Sequence, residues 1–142
     1  MIQPSIEIAG LLILEPVTSL TDLMVSAVCF YAFFKLIVRN HAALHFKLIN
    51  WFFLTMGLAT LFGGLIGHAF LYAFSFGWKL PGWLLSMLSI SLLERASIEY
   101  AKPLLPKKLR KFMDWANIIE LLIFMFLTLT TLNFRFVEIH SA

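Results

Sequence analysis

The sequence predicts an all-α fold, a polytopic membrane helix bundle of about four transmembrane helices with its N-terminus outside. Two observations lead there. Of the 142 residues, 61% are hydrophobic and the mean hydropathy is +0.88, against about 45–50% apolar content in soluble domains. The charged residues, 13% of the chain, fall in a few short stretches and not at every turn, so the helices lack solvated faces. Residues 1–142 therefore read as a single transmembrane domain, with no loop long enough to fold by itself and no room for a soluble catalytic module. The net charge of +3 follows the loop pattern described below. The partner that the apolar composition implies is the lipid bilayer, and no nucleic-acid function is read from the charge. Cys29 is the lone cysteine and forms no intrachain disulfide. Residues 1–7 lack the basic start of a cleavable signal and carry Glu7, so the first apolar stretch is expected to stay in the protein.

A helix needs about 20 apolar residues to cross a hydrocarbon core of about 30 Å. The first such stretch is 17–38, with Pro16 suited to the opening turn, where its missing N–H costs nothing. Before it, the run Ile8 to Leu14 is too short to span and reads either as an interfacial segment or as a helical extension kinked at Pro16. The second stretch, 48–76, is longer than a crossing needs and should tilt. The third, 80–98, is interrupted by Glu94 and Arg95, and the fourth is 112–134.

Positive charge orients these spans. Lys35, Arg39 and Lys47 lie around the first connection, and Lys102, Lys107, Lys108, Arg110 and Lys111 around the third. The second connection holds only Lys79, and the N-terminal segment holds Glu7 and Glu15 with no basic residue. The positive-inside rule then places both basic loops on the cytoplasmic side and both termini outside. Trp51, Trp78, Trp83 and Trp115 all fall near span ends, where an indole prefers the headgroup region.

Ionisable groups in hydrocarbon cost about 2.5–3.5 kcal/mol each on insertion scales, so each needs a partner, a cavity or a route to water. Glu15, Thr18, Ser19, Asp22 and Ser26 share one face of the first span, which should point into protein. Gly57, Thr60, Gly64 and Gly67 form a small-residue stripe on the second, a packing surface, with His68 beside it. Asp22 and His68 both lie about 9–12 Å from the outer surface by the helical rise. Glu15, Ser19, Asp22 and His68 are thus the outer polar cluster. Glu94 and Arg95 on the third span and Glu120 on the fourth form an inner one, with an Arg95 to Glu120 ion pair as its simplest arrangement. Asp114, Asn117, Glu120, Thr128 and Thr131 share a face of the fourth span. His41 and His45 have the spacing of a metal pair but no third ligand nearby, and read as a solvated loop. Phosphate loops, cysteine pairs, a G-x-S-x-G elbow and H-E-x-x-H are absent.

The run Glu15-Pro-Val-Thr-Ser-Leu-Thr-Asp-Leu23, followed by Met56-Gly-Leu-Ala-Thr and Gly67-His-Ala-Phe70, resembles the first half of the alkaline-ceramidase-like seven-helix membrane hydrolases over about residues 15–70. The resemblance implies that His68 is an early zinc ligand and that Glu15 is the acidic residue of the opening motif, which in ceramidases helps to hold calcium. Gly64 stands where that family has a serine, and Lys79, Pro81 and Gly82 occupy the region of its next aspartate. The family's late H-x-x-x-H pair has no counterpart. A catalytic zinc takes three protein ligands and a water, so zinc requires ligands outside this chain. Arg135 to Ala142 reads as the start of another helix, and the enzyme reading needs three helices beyond it.

Three function classes follow. The favoured one is an accessory or binding subunit of a membrane assembly, partnered by other membrane subunits or by copies of itself, with polar stripes as helix-packing surfaces. The second is part of a zinc-dependent lipid amide hydrolase. The third is a small-solute or proton pathway through Glu15, Asp22, His68 and Glu120. No catalytic residue is assigned.

Overall fold

The computed structural model describes residues 4–39 and 42–142. The chain opens with a hairpin. Strands β1 (Ser5–Ile8) and β2 (Leu11–Leu14) pair antiparallel, Ser5 opposite Leu14 and Ile8 opposite Leu11. Ala9 and Gly10 turn the chain with φ of 54° and 80°, the two positive φ values of the tight turn that matches strand twist. The run Ile8 to Leu14 is therefore not a helical extension kinked at Pro16. Gly10 supplies the left-handed conformation that breaks the run, and Ser5-Ile6-Glu7-Ile8 alternates with the period of a strand.

Four long helices follow. Helix α1 is Pro16–Val38 and α2 is Leu44–Phe62, continued by a π-helical segment, Gly63–Ala69. Short 3-10 turns at Leu71–Ala73 and Phe76–Lys79 lead into α3 (Leu80–Ala101). Helix α4 is Lys107–Thr131. Leu132, at φ 50°, ends α4 in the left-handed conformation, and α5 (Arg135–His140) folds back against α3 and α4. The segments Pro16–Val38, Leu44–Ala69 and Lys107–Thr131 are each long and apolar enough to cross a membrane.

Neighbouring helices run antiparallel, as their contacts show. Between α1 and α2, Ser26 Oγ donates to the Gly57 carbonyl at 2.8 Å. A Cβ on Gly57 would lie 3.1 Å from the Phe30 ring, and one on Gly64 would lie 3.0 Å from Asp22 Cβ and 3.1 Å from the Ser19 carbonyl. These two glycines let the backbones approach, as small residues do where helices pack without a hydrophobic driving force. Between α2 and α3, a Cβ on Gly82 would meet the Ala59 carbonyl at 3.3 Å. Helix α3 is the central element and buries more residues than any other, among them Met87, Ser89, Ser91, Ala96 and Ile98. Its Ser91, Glu94 and Arg95 bond to α4, whereas α1 and α4 leave large apolar side chains such as Val17, Leu20, Met24, Phe112, Leu122 and Phe126 exposed.

Candidate functional site

At the hairpin end of the bundle, three titratable side chains from three elements meet. Glu15 is the single residue between β2 and α1, and its φ of 45° and ψ of 55° make it left-handed. For a residue with a Cβ that conformation costs roughly 1–2 kcal/mol, and such strain clusters at functional sites. The bend is braced by the Glu15 N–H, which donates to the Pro4 carbonyl at 2.8 Å, and by Ser19 Oγ, which donates to the Leu14 carbonyl at 3.2 Å. Asp22 lies nearly two turns into α1. His68 comes from the π-helical segment, where the Phe70 N–H reaches back five residues to the Leu65 carbonyl at 2.9 Å. A π-helical turn holds an extra residue and recurs at functional sites. Here Gly63, Gly64 and Gly67 soften the helix to allow it.

His68 Nδ1 lies 2.6 Å from Glu15 Oε2, and its Nε2 lies 3.9 Å from Asp22 Oδ2. The imidazole is clamped between two carboxylates, and all three side chains are part-buried. Asp22 fits because Gly63 has no Cβ, which would sit 3.2 Å from Oδ2. Of the outer cluster expected from sequence, Glu15, Asp22 and His68 come together. Ser19 does not join them; its hydroxyl serves the hairpin junction.

A cavity of about 500 Å³ opens beside His68 and Asp22. Thr60, Lys79 and Ser86 add polar groups to its wall, and Phe62, Phe76, Trp83 and Phe134 make most of the rest. This size and lining are typical of small-molecule sites. Trp83 and Phe134 pack with their rings tilted by 43° and centroids 5.2 Å apart, and Lys79 Nζ sits 5.5 Å from the Phe76 ring centroid. Lys79, Ser86 and Phe134 carry no sequence signal for this role, since only the packing of α3 and α5 brings them here.

Near the opposite, basic end, the inner cluster divides in two. Arg95 Nη1 donates to the Asp114 carbonyl at 2.9 Å and lies 3.2 Å from Asp114 Oδ1. The expected Arg95 to Glu120 pair is thereby corrected. Ser91 faces Asn117 across the helix pair, with Ser91 Oγ 3.2 Å from Asn117 Oδ1. In this antiparallel register Arg95, a turn beyond Ser91, meets Asp114, while Glu120 lies about 9 Å further along α4. Glu94 accepts an N–H from Asn117 at 2.7 Å, and Glu120 Oε1 faces His140 Nδ1 at 3.8 Å. Of the two loop histidines, His41 lies outside the described residues, and His45 packs edge-on to Tyr100 at 5.6 Å.

The zinc implied by the resemblance can be tested against these donors. With Glu15 on Nδ1, only Nε2 of His68 would be available, and Asp22 could be a second ligand. Among the described residues, no group of three or more histidine, cysteine, aspartate or glutamate side chains is placed to hold a metal ion. A catalytic zinc needs three protein ligands. The residues present do not complete that set.

These features define an all-α bundle of membrane-compatible helices with a carboxylate–imidazole–carboxylate clamp on the wall of an apolar cavity. By sequence the chain belongs to the Family of unknown function (DUF6962), whose family model matches residues 17–142. No curated protein and no solved structure matches it.

Proposed function

We propose that this chain is an integral, multi-pass membrane protein. In this reading it crosses the bilayer four times with its N-terminus outside, and it serves a membrane assembly as the subunit that binds a small amphipathic ligand. The observation that carries the reading is the position of the His68 clamp on the wall of a mostly aromatic cavity of about 500 Å³. A ligand head with a hydrogen-bond donor would meet Asp22, and its apolar body would lie on Phe62, Phe76, Trp83 and Phe134. Four crossings are supported by α3, which has the length to span and whose Ser91, Glu94 and Arg95 find partners on α4. The orientation is supported by the basic residues at 102–111. Cysteines placed at Lys107 or Lys108 should react with impermeant reagents only from the cytoplasmic side.

Native mass spectrometry of the protein extracted from its own membrane tests the binding role. Wild type should carry a small-molecule adduct, and Asp22→Asn or the cavity-filling Ser86→Leu should lose it while keeping the helical content. An adduct retained by both variants would end the proposal.

A second reading, the ceramidase-like hydrolase, is favoured by one contact. A carboxylate on Nδ1 is the usual outer-shell partner of a metal-binding imidazole, and Glu15 supplies it. It requires metal ligands from outside this chain. Stoichiometric zinc in protein from the native membrane, abolished by His68→Ala, would support it, and metal-free active protein would exclude it.

A further inference from the structure

The cavity beside the clamp presents two opposite charges that the protein leaves without hydrogen bonds. Asp22 is one. His68 Nε2 approaches its Oδ2 only to 3.9 Å, too far for a hydrogen bond, and the carboxylate accepts none among the described residues. Lys79 is the other. Its Nζ lies 5.5 Å from the Phe76 ring centroid, and no carboxylate among the described residues pairs with it. Both side chains line one mostly apolar cavity without reaching each other. Charges so placed call for complementary groups.

Gly67 is an independent sign that this space is kept. It is buried and lines the cavity, but a Cβ built on it would meet only the Phe62 carbonyl, at 3.9 Å. Neither a tight helix contact nor a positive φ accounts for glycine here, and glycine within a helix is less stable than alanine. Its effect is to leave room.

The occupant follows from the two charges. An ammonium would donate to Asp22, an acid group would accept from Lys79, and an apolar body would rest on the aromatic wall. A zwitterion supplies both groups and adds no net charge to a poorly solvated space, whereas a singly charged ligand leaves one protein charge unmatched. A cavity of about 500 Å³ is on the order of 10 Å across, so the ligand's two charges lie close together. Resting on the binding role argued above for this cavity, we propose that its ligand is an amphiphile carrying an ammonium and a carboxylate or phosphate a few bonds apart. Two sources share that chemistry, a free apolar amino acid and an aminophospholipid head.

The test is native mass spectrometry of the full chain in detergent, titrated with L-phenylalanine and with a lysophosphatidylethanolamine. At least one should bind saturably at about one per chain. Phenylalanine alone would identify the free amino acid as the source, and the lipid alone the headgroup. Acetylating the probe's amine, or neutralising its acid as the amide or the phosphate methyl ester, should each weaken binding by about tenfold or more. Asp22→Asn should bind the probe and its acetylated form alike, and Lys79→Gln the probe and its acid-neutralised form alike. Gly67→Ala should weaken binding without lowering the melting point, and Lys108→Gln, at the basic end, should leave binding unchanged. Failure of both probes to bind, or either analogue matching its parent on the wild-type chain, would overturn the proposal, and that comparison needs no variant to fold. A native-membrane adduct that proves singly charged or uncharged would overturn the zwitterion and leave the binding role intact. No adduct and no probe binding would end both.

Discussion

His68 Nδ1 and Glu15 Oε2 lie 2.6 Å apart although 53 positions separate them in sequence. This contact ties the hairpin junction to the π-helical end of α2 and holds the ring for Asp22 on its other side. A hydrogen bond involving a charged group contributes about 1.5–3 kcal/mol, so the tie is large enough to matter to stability.

Replacing Glu15 separates its two roles. Glu15→Ala should lower the unfolding free energy by about 2–3 kcal/mol, through the lost carboxylate. Glu15→Gly also loses the carboxylate but relieves the left-handed backbone, so it should be about 1 kcal/mol less damaging than alanine. Thermal unfolding in detergent compares them. Equal melting points would show that the φ of 45° at Glu15 carries no strain.

Close approach of α1 and α2 predicts a contrast between glycines. Gly64→Val should destabilise by about 1–3 kcal/mol, because even its Cβ meets Asp22 and the Ser19 backbone. Gly77→Ala, where a Cβ meets nothing within 4 Å, should change stability by no more than about 0.5 kcal/mol. Chemical or thermal unfolding of both variants provides the check.

The Arg95 pairing is open to a double-mutant cycle. Arg95→Met and Asp114→Asn should couple by about 1–2 kcal/mol, because the pair is part-buried and in contact. Arg95→Met and Glu120→Gln should add without coupling to within about 0.5 kcal/mol. The reverse pattern would place the ion pair at Glu120.

The hairpin turn predicts a gain. Ala9 sits at φ 54°, a conformation asparagine tolerates better than alanine. Ala9→Asn should raise stability by about 0.5 kcal/mol relative to wild type, read as a higher melting point and slower proteolysis within residues 5–14. Faster cleavage there would argue against the turn.

How far the sequence reveals these features depends on the range of the interaction. The helices are legible because apolar length is a local property, and so is the packing role of Gly57 and Gly64, which small-residue spacing signals. The hairpin was legible as well, in the alternation of Ser5 to Ile8 and in Gly10, but the unbroken apolar run after it masks both. The π-helical turn has no pattern of its own beyond three nearby glycines. The partner of Arg95 depends on the register of α3 against α4, and two carboxylates one or two turns apart on α4 are equivalent candidates until Ser91 is seen opposite Asn117. His140 faces Glu120 only because Leu132 turns the chain back, and no periodicity announces a single left-handed residue.

Removing one residue from an α-helix rotates everything beyond it by about 100°, which usually destroys the packing face. Gly63–Ala69 has that much slack already wound into it. A one-codon deletion at Leu65 or Ile66 should therefore be absorbed as ordinary α-helix, leaving a folded protein whose His68 still points between Glu15 and Asp22. The same deletion within Leu44–Phe62, which has no such slack, should swing His68 out of the clamp.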